Sequence, residues 1–112
     1  MAQQPSYRTE RVNELVRREL VMLLRKEVND PRLKDVVITD VITSRDLSSA
    51  KVFFSTAEDT QKEVAKLLKN ASGFFRTRLS KVLDLRHTPT LSFIYDTAPN
   101  TGASIEDLLS KL

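Results

Sequence analysis

Two helix-like runs meet at Asn70-Ala71-Ser72-Gly73, in a chain of 112 residues that holds only two glycines. The run from Thr60 to Asn70 puts Val64, Leu67, Leu68 and Ala71 on one helical face. The run from Phe74 to Leu83 puts Phe75, Leu79, Val82 and Leu83 on another. Neither is long enough to be a stable helix alone, so both must lay an apolar face on other structure. A glycine at such a break is expected at positive φ, where a side chain would clash. The second helix starts there with backbone N–H groups that lack helical acceptors. Those donors, the helix dipole and the nearby Arg76, Arg78 and Lys81 together suit a phosphate. Gly73 read as architecture alone also accounts for the break, and Ser72 has the chemistry to cap the following helix itself.

The strands that would receive these helices are legible on either side. Val36 to Thr43 is β-branched almost throughout and reads as a strand. Ser44 to Ser49 reads as a turn, Ala50 to Ser55 as the returning strand of a hairpin, and Thr90 to Asp96 as a third strand. Before them, Val12, Leu15, Val16, Leu20, Met22 and Leu23 recur at about 100° per residue, which predicts a helix from Arg8 to about Val28, ended by Pro31. Thr60 and Glu63 have the spacing of a capping box at the start of the middle helix. Ser104 to Asp107 repeats that signal ahead of a short amphipathic helix through Leu108, Leu109 and Leu112. The expected organisation is a disordered tail over 1–7 and a single domain over 8–112. Its fold class is α+β, two layers, ordered helix-strand-strand-helix-kink-helix-strand, with the helices on one face of a three-stranded sheet.

Composition narrows the function classes. Hydrophobic residues make up 40% and charged residues 29%, the balance of an ordinary globular domain. No apolar run approaches the ~20 residues of a membrane helix, the N-terminus has no signal-peptide character, and the cytoplasm is the expected compartment. With no cysteine there is neither a disulfide framework nor a thiolate metal site, and no motif calls for a cofactor or a metal. The net charge of +3 permits a nucleic-acid partner. Basic residues concentrate between Arg8 and Lys26 and between Arg76 and Arg86. Within the first group, Arg11, Arg18 and Arg25 recur every seven residues and form a stripe, expected at the edge of the helix's apolar face. The same stripe reads as a solvated flank whose methylene stems cover the core. Lys62, Lys66 and Lys69 are expected on the solvated face of the middle helix. Phe53, Phe54, Phe74, Phe75, Phe93 and Tyr95 read as core rather than as stacking platforms. His87, the single histidine, has no partner in the sequence that would make it a base. A metal-dependent nuclease built on Asp30, Asp35 and Asp40 is the enzyme alternative, and a protein–protein adaptor docking through the first helix or the third strand is the non-enzymatic one.

The element order resembles the bacterial-type (type II) KH domain. Asp30-Pro31-Arg32-Leu33, Ser44-Arg45-Asp46-Leu47 with Ala50-Lys51-Val52, and Ala71-Ser72-Gly73-Phe74 with Arg76 are similar to motifs of the ribosome-binding factor A family. Leu85-Arg86, Pro89, Leu91-Ser92-Phe93 and Tyr95-Asp96 fit the same family, so the resemblance runs from Arg8 to Leu109. It implies a non-enzymatic, monomeric, RNA-binding maturation factor. Such a factor attaches to the free small ribosomal subunit near the 5′-terminal helix of its rRNA and supports late assembly and rRNA processing, notably in the cold. A general KH domain carries Gly-x-x-Gly between its helices. This chain lacks it and has instead an Ala-x-Gly kink, Ala71-Ser72-Gly73, as the family does. Many family members also carry a charged C-terminal extension; a chain ending at Leu112 reads as a compact member or a shortened one. The RNA-contact candidates are Arg11, Arg18, Arg25, Gly73, Arg76, Arg78 and Lys81.

Overall fold

The structure, a computed structural model, describes residues 7–26 and 28–97. Helix α1, Tyr7–Lys26, covers the predicted span as far as Lys26, and Val28 lies beyond it. It buries Thr9, Val12, Val16, Leu20, Leu23 and Leu24 along one side. Met22, expected in that face, is exposed, and Leu24 takes its place in the core, because 3.6 residues per turn swing position 22 outward. Glu10 in the first turn and Arg25 and Lys26 in the last complement the helix dipole. A 3₁₀ turn, Pro31–Leu33, follows; Asp30 caps it by accepting from the Arg32 backbone N–H at 3.0 Å.

Strands β1, Val37–Thr43, and β2, Ser49–Ser55, form an antiparallel hairpin, and β3, Thr90–Tyr95, lies parallel to β2 on its other side, in the order β1-β2-β3. A parallel pair needs a crossover connection. It is supplied by α2, Gln61–Asn70, and α3, Ser72–Val82. Alternation sends Ala50, Val52 and Phe54 of the central strand inward, into one core with Val16, Leu20, Leu23, Val64, Leu68, Phe75 and Leu79, all buried. Each large apolar side chain there contributes on the order of 1.5–3 kcal/mol by leaving water. Aromatic edges close the core: Phe54 meets Tyr95 at 5.8 Å and Phe75 meets Phe93 at 5.9 Å between ring centroids. In β1 a bulge between Ile38 and Asp40 shifts the register, so that Ile38, Val41 and Thr43 all face inward. The Thr39 hydroxyl at the bulge donates to Asp96 at 2.6 Å, tying β1 to the chain just past β3.

Three further expectations fail for physical reasons. The Thr60–Glu63 capping box does not form: the Thr60 hydroxyl donates to the Ala57 carbonyl, and the Glu63 carboxylate receives Arg32 instead. Val82 is 45% exposed, since α3 has reached its last turn and Leu83, in extended geometry beyond it, fills the core. Gly73 is not at positive φ; it lies inside α3. The amphipathic helix expected after Ser104 lies outside the described residues.

The β1–β2 turn holds a feature the sequence does not advertise. Leu47 sits at φ 63, and its side chain is buried. Around it, Asp46 Oδ1 accepts from the Ser44 hydroxyl at 2.7 Å, the Ser48 hydroxyl at 2.7 Å and the Ser48 backbone N–H at 3.0 Å. These donors hold the Asp46 carboxyl at about 2, below the usual carboxylate range.

Candidate nucleic-acid interface

Arg11, Arg18 and Arg25 are all exposed, and they run along the crest of α1 opposite its buried side rather than along the edge of that side. Arg18 pairs with Glu14 at 3.1 Å, one turn back. Both side chains are 72% exposed, and an exposed i,i+4 pair is worth only about 0.3–0.5 kcal/mol, too little to withhold the guanidinium from a ligand. Tyr7, Leu15 and Met22 interleave with the arginines, so the crest alternates charge with apolar surface. Where α1 meets the end of α3, Arg8 and Arg11 rim a groove of about 300 Å³ floored by Val12, Leu15, Val82 and Leu83. This joins one end of the α1 crest to the last turn of α3.

At the break between α2 and α3, the turning residue is Ala71, at φ −88 and ψ 0, the bridge region open to any residue. Its N–H donates to Leu67 and its carbonyl accepts from Phe75, each at 3.0 Å, so one helix hands over to the next without a side-chain cap. Ser72 is the first helical residue and not the cap. A Cβ built on Gly73 would meet nothing within 4 Å, so the glycine leaves open space beside the backbone rather than relieving a clash.

The basic residues that follow do not act as one cluster. Arg76 turns toward β3 and fastens the loop before it, donating from Nε to the Pro89 carbonyl at 3.1 Å and from Nη2 to the Thr88 carbonyl at 3.0 Å. Arg78 lies over the ring of Phe74, 5.5 Å from its centroid, and Lys81 is exposed one turn beyond. Arg78, Lys81 and Phe74 share the outer side of α3, since positions three, four and seven apart align on a helix.

Sequence reading did not single out a further basic surface. Lys66 and Lys69 of α2, expected on a purely solvated face, line a groove of about 410 Å³ with Ala65 against Leu91, Ser92 and Phe93 of the edge strand β3. No local pattern marks these lysines; their placement follows from which strand α2 crosses to reach.

The carboxylates of the nuclease reading are otherwise engaged or apart. Asp30 receives Arg32 at 2.9 Å and 2.7 Å, and that guanidinium also bonds Glu63, joining the 3₁₀ turn to α2. Hydrogen bonding to Arg32 holds the Asp30 carboxyl below its usual range. Among the described residues no group of three His, Asp or Glu side chains converges as a metal site would require. His87 is exposed, beside Arg86 and Arg8 in a shallow cleft at the hairpin tip.

An antiparallel hairpin, a helix–helix crossover and a third strand parallel to the second, preceded by a long helix, define a type II KH-like domain without Gly-x-x-Gly. The comparisons with known proteins sharpen that class. The family model for ribosome-binding factor A matches residues 8–109. A ribosome-binding factor A from Vesicomyosocius okutanii is 64% identical over 110 residues, spanning 98% of this chain and 96% of that one. The solution structure of a putative ribosome-binding factor A from Thermotoga maritima superposes with a TM-score of 0.69 at 31% identity, covering 82% of this chain and 90% of that one. A Thermus thermophilus ribosome-binding factor A, fitted as a homology model into a cryo-EM map of its 30S complex, shares the fold with a TM-score of 0.62 at 23% identity, covering 76% of this chain and 91% of the other. The chain belongs to the ribosome-binding factor A family.

Proposed function

We propose that this protein is a maturation factor that binds the free small ribosomal subunit through its rRNA, near the 5′-terminal helix, and supports late assembly and pre-rRNA processing, with its weight in the cold. It acts by binding and not by catalysis, as a monomer in the cytoplasm, with residues 8–112 as the RNA-binding unit. The observation that carries this reading is the exposed α1 crest of Arg11, Arg18 and Arg25 on a chain of this family. The Thermus relative's 30S complex supports the choice of partner. Arg11, Arg18, Arg25, Arg78 and Lys81 are the proposed phosphate contacts, Gly73 the point of close backbone approach, and Arg76 contributes by holding the loop before β3.

Sedimentation of the protein with lysate tests the partner. It should run with free small subunits; equal presence in polysome fractions, or absence from the small-subunit peak, would refute the reading. Reversing Arg11 and Arg18 to Glu should weaken subunit and RNA binding and make the salt slope shallower by about one unit per lost phosphate contact. Binding by an adaptor through apolar surface would change little with salt.

A further inference from the structure

The neighbouring residues Phe74 and Phe75, both expected in the core, have opposite fates on α3. Phe75 is fully buried, whereas Phe74 leaves 40% of its surface in water. An aromatic ring kept open in this way forgoes burial that its neighbour obtains. Nor is it loose: Arg78 lies over the ring at 5.5 Å, and Phe75 meets it at 5.8 Å with a 58° tilt. The ring is therefore held between Arg78 over one face and Phe75 tilted against it. Beside it stands Gly73, where even a Cβ would touch nothing, so no side chain walls off the approach. Helix α3 carries Arg76, Arg78 and Lys81 and no acidic residue. A held, half-open aromatic face on a wholly basic helix suits a ligand with a flat π face and a negative charge within reach.

We propose that Phe74, backed by Arg78, is a stacking platform for one unpaired base of an RNA strand, with Lys81 on a neighbouring phosphate. This rests on the RNA-binding reading above and narrows it to unpaired nucleotides, because a base inside a duplex has no free face to offer. Stacking tolerates any base, so the platform selects for single-strandedness more than for sequence. An acidic peptide would satisfy Lys81 but leave the ring unused.

The chain has no tryptophan, so Phe74→Trp introduces a sole indole reporter at the site. Its emission should be quenched by a short single-stranded RNA and not by a duplex of the same length or by polyphosphate. Phe74→Leu should weaken single-strand binding by roughly five- to a hundredfold, the span of base–aromatic stacking, with an unchanged salt slope. Lys81→Gln should instead make that slope shallower. A thermal melt of each variant separates lost binding from lost fold; should Phe74→Leu melt early, the quenching of Phe74→Trp decides alone. Parent-like binding by Phe74→Leu, or equal quenching by duplex and single strand, would overturn the platform and leave RNA binding standing. Loss of subunit association with no loss of RNA affinity would overturn it in favour of a protein contact. A parent that binds no RNA at all would remove both readings together.

Discussion

At the α2–α3 break the chain carries a glycine and stays in right-handed geometry, whereas at the β1–β2 turn it carries a leucine and goes left-handed. Left-handed geometry costs an ordinary residue roughly 1–2 kcal/mol. At Leu47 that cost is offset by burial of the side chain, worth about 1.5–3 kcal/mol, and the turn is braced by the three donors on Asp46. At Gly73 no such cost exists, and what the missing side chain leaves is empty space at the surface. One position trades strain for core; the other leaves the backbone bare at the surface. A glycine is therefore no reliable marker of unusual backbone, and its absence no reliable marker of ordinary backbone.

The largest test of this contrast is at Leu47. Leu47→Ala keeps the strain and loses the buried side chain, and should cost about 2–4 kcal/mol in chemical denaturation. Leu47→Gly should be the more stable of the two by about 1 kcal/mol, reversing the usual preference for alanine. Should alanine be the better residue, Leu47 is not left-handed in solution. Next in size is Arg76→Glu, which gives up the bonds to the Thr88 and Pro89 carbonyls and should cost about 1 kcal/mol. Lys81→Glu, with no such bonds to lose, should stay within about 0.5 kcal/mol. Equal melts for the two would mean that Arg76 does not fasten the loop.

Gly73→Ala should raise stability by about 0.5 kcal/mol, since the residue is helical and the added methyl meets nothing. If the same variant binds RNA as tightly as the parent, the open space is not used. Smallest, and confined to acid, is the contribution of the Asp46 charge. A carboxyl held at about 2, against an ordinary value near 3.9, adds stability that is complete above about pH 4 and is lost as pH falls through about 2. The gap in melting temperature between the parent and Asp46→Asn should close across that interval.

Element types were legible because the patterns are clean: a 3.6 period in α1, a β-branched run in β1 with the apolar Val52-Phe53-Phe54 of β2 returning after a turn, and a glycine-marked break between α2 and α3. What escaped depends on neighbours distant in sequence. The bulge at Thr39 has no glycine or proline to announce it, and its bond to Asp96 crosses the whole sheet. Thr60 had capping chemistry, but Glu63 was claimed by Arg32 from the preceding 3₁₀ turn. The stripe on α1 was visible as a spacing, yet its position on the crest was fixed only once the opposite side was seen to pack. Phe74 could not be told from Phe75, because adjacent aromatics look alike until the helix is docked. Lys66 and Lys69 became groove residues only through the strand opposite them.

The parallel pairing of β2 with β3 sets an order of events along the folding pathway. The β1–β2 hairpin joins neighbouring segments and closes a short loop, while β3 must wait for α2 and α3 to span the sheet. Non-local pairing of this kind is slow because chain closure precedes its reward. Probes in the hairpin should therefore show high φ-values and those in β3 low ones. In the native state the same asymmetry runs in reverse: amide exchange should open the β3 edge well before the hairpin. The lysine-lined groove between α2 and β3 would then be the last surface to be completed and the first to be lost, so that an occupant spanning it would slow unfolding of the whole domain.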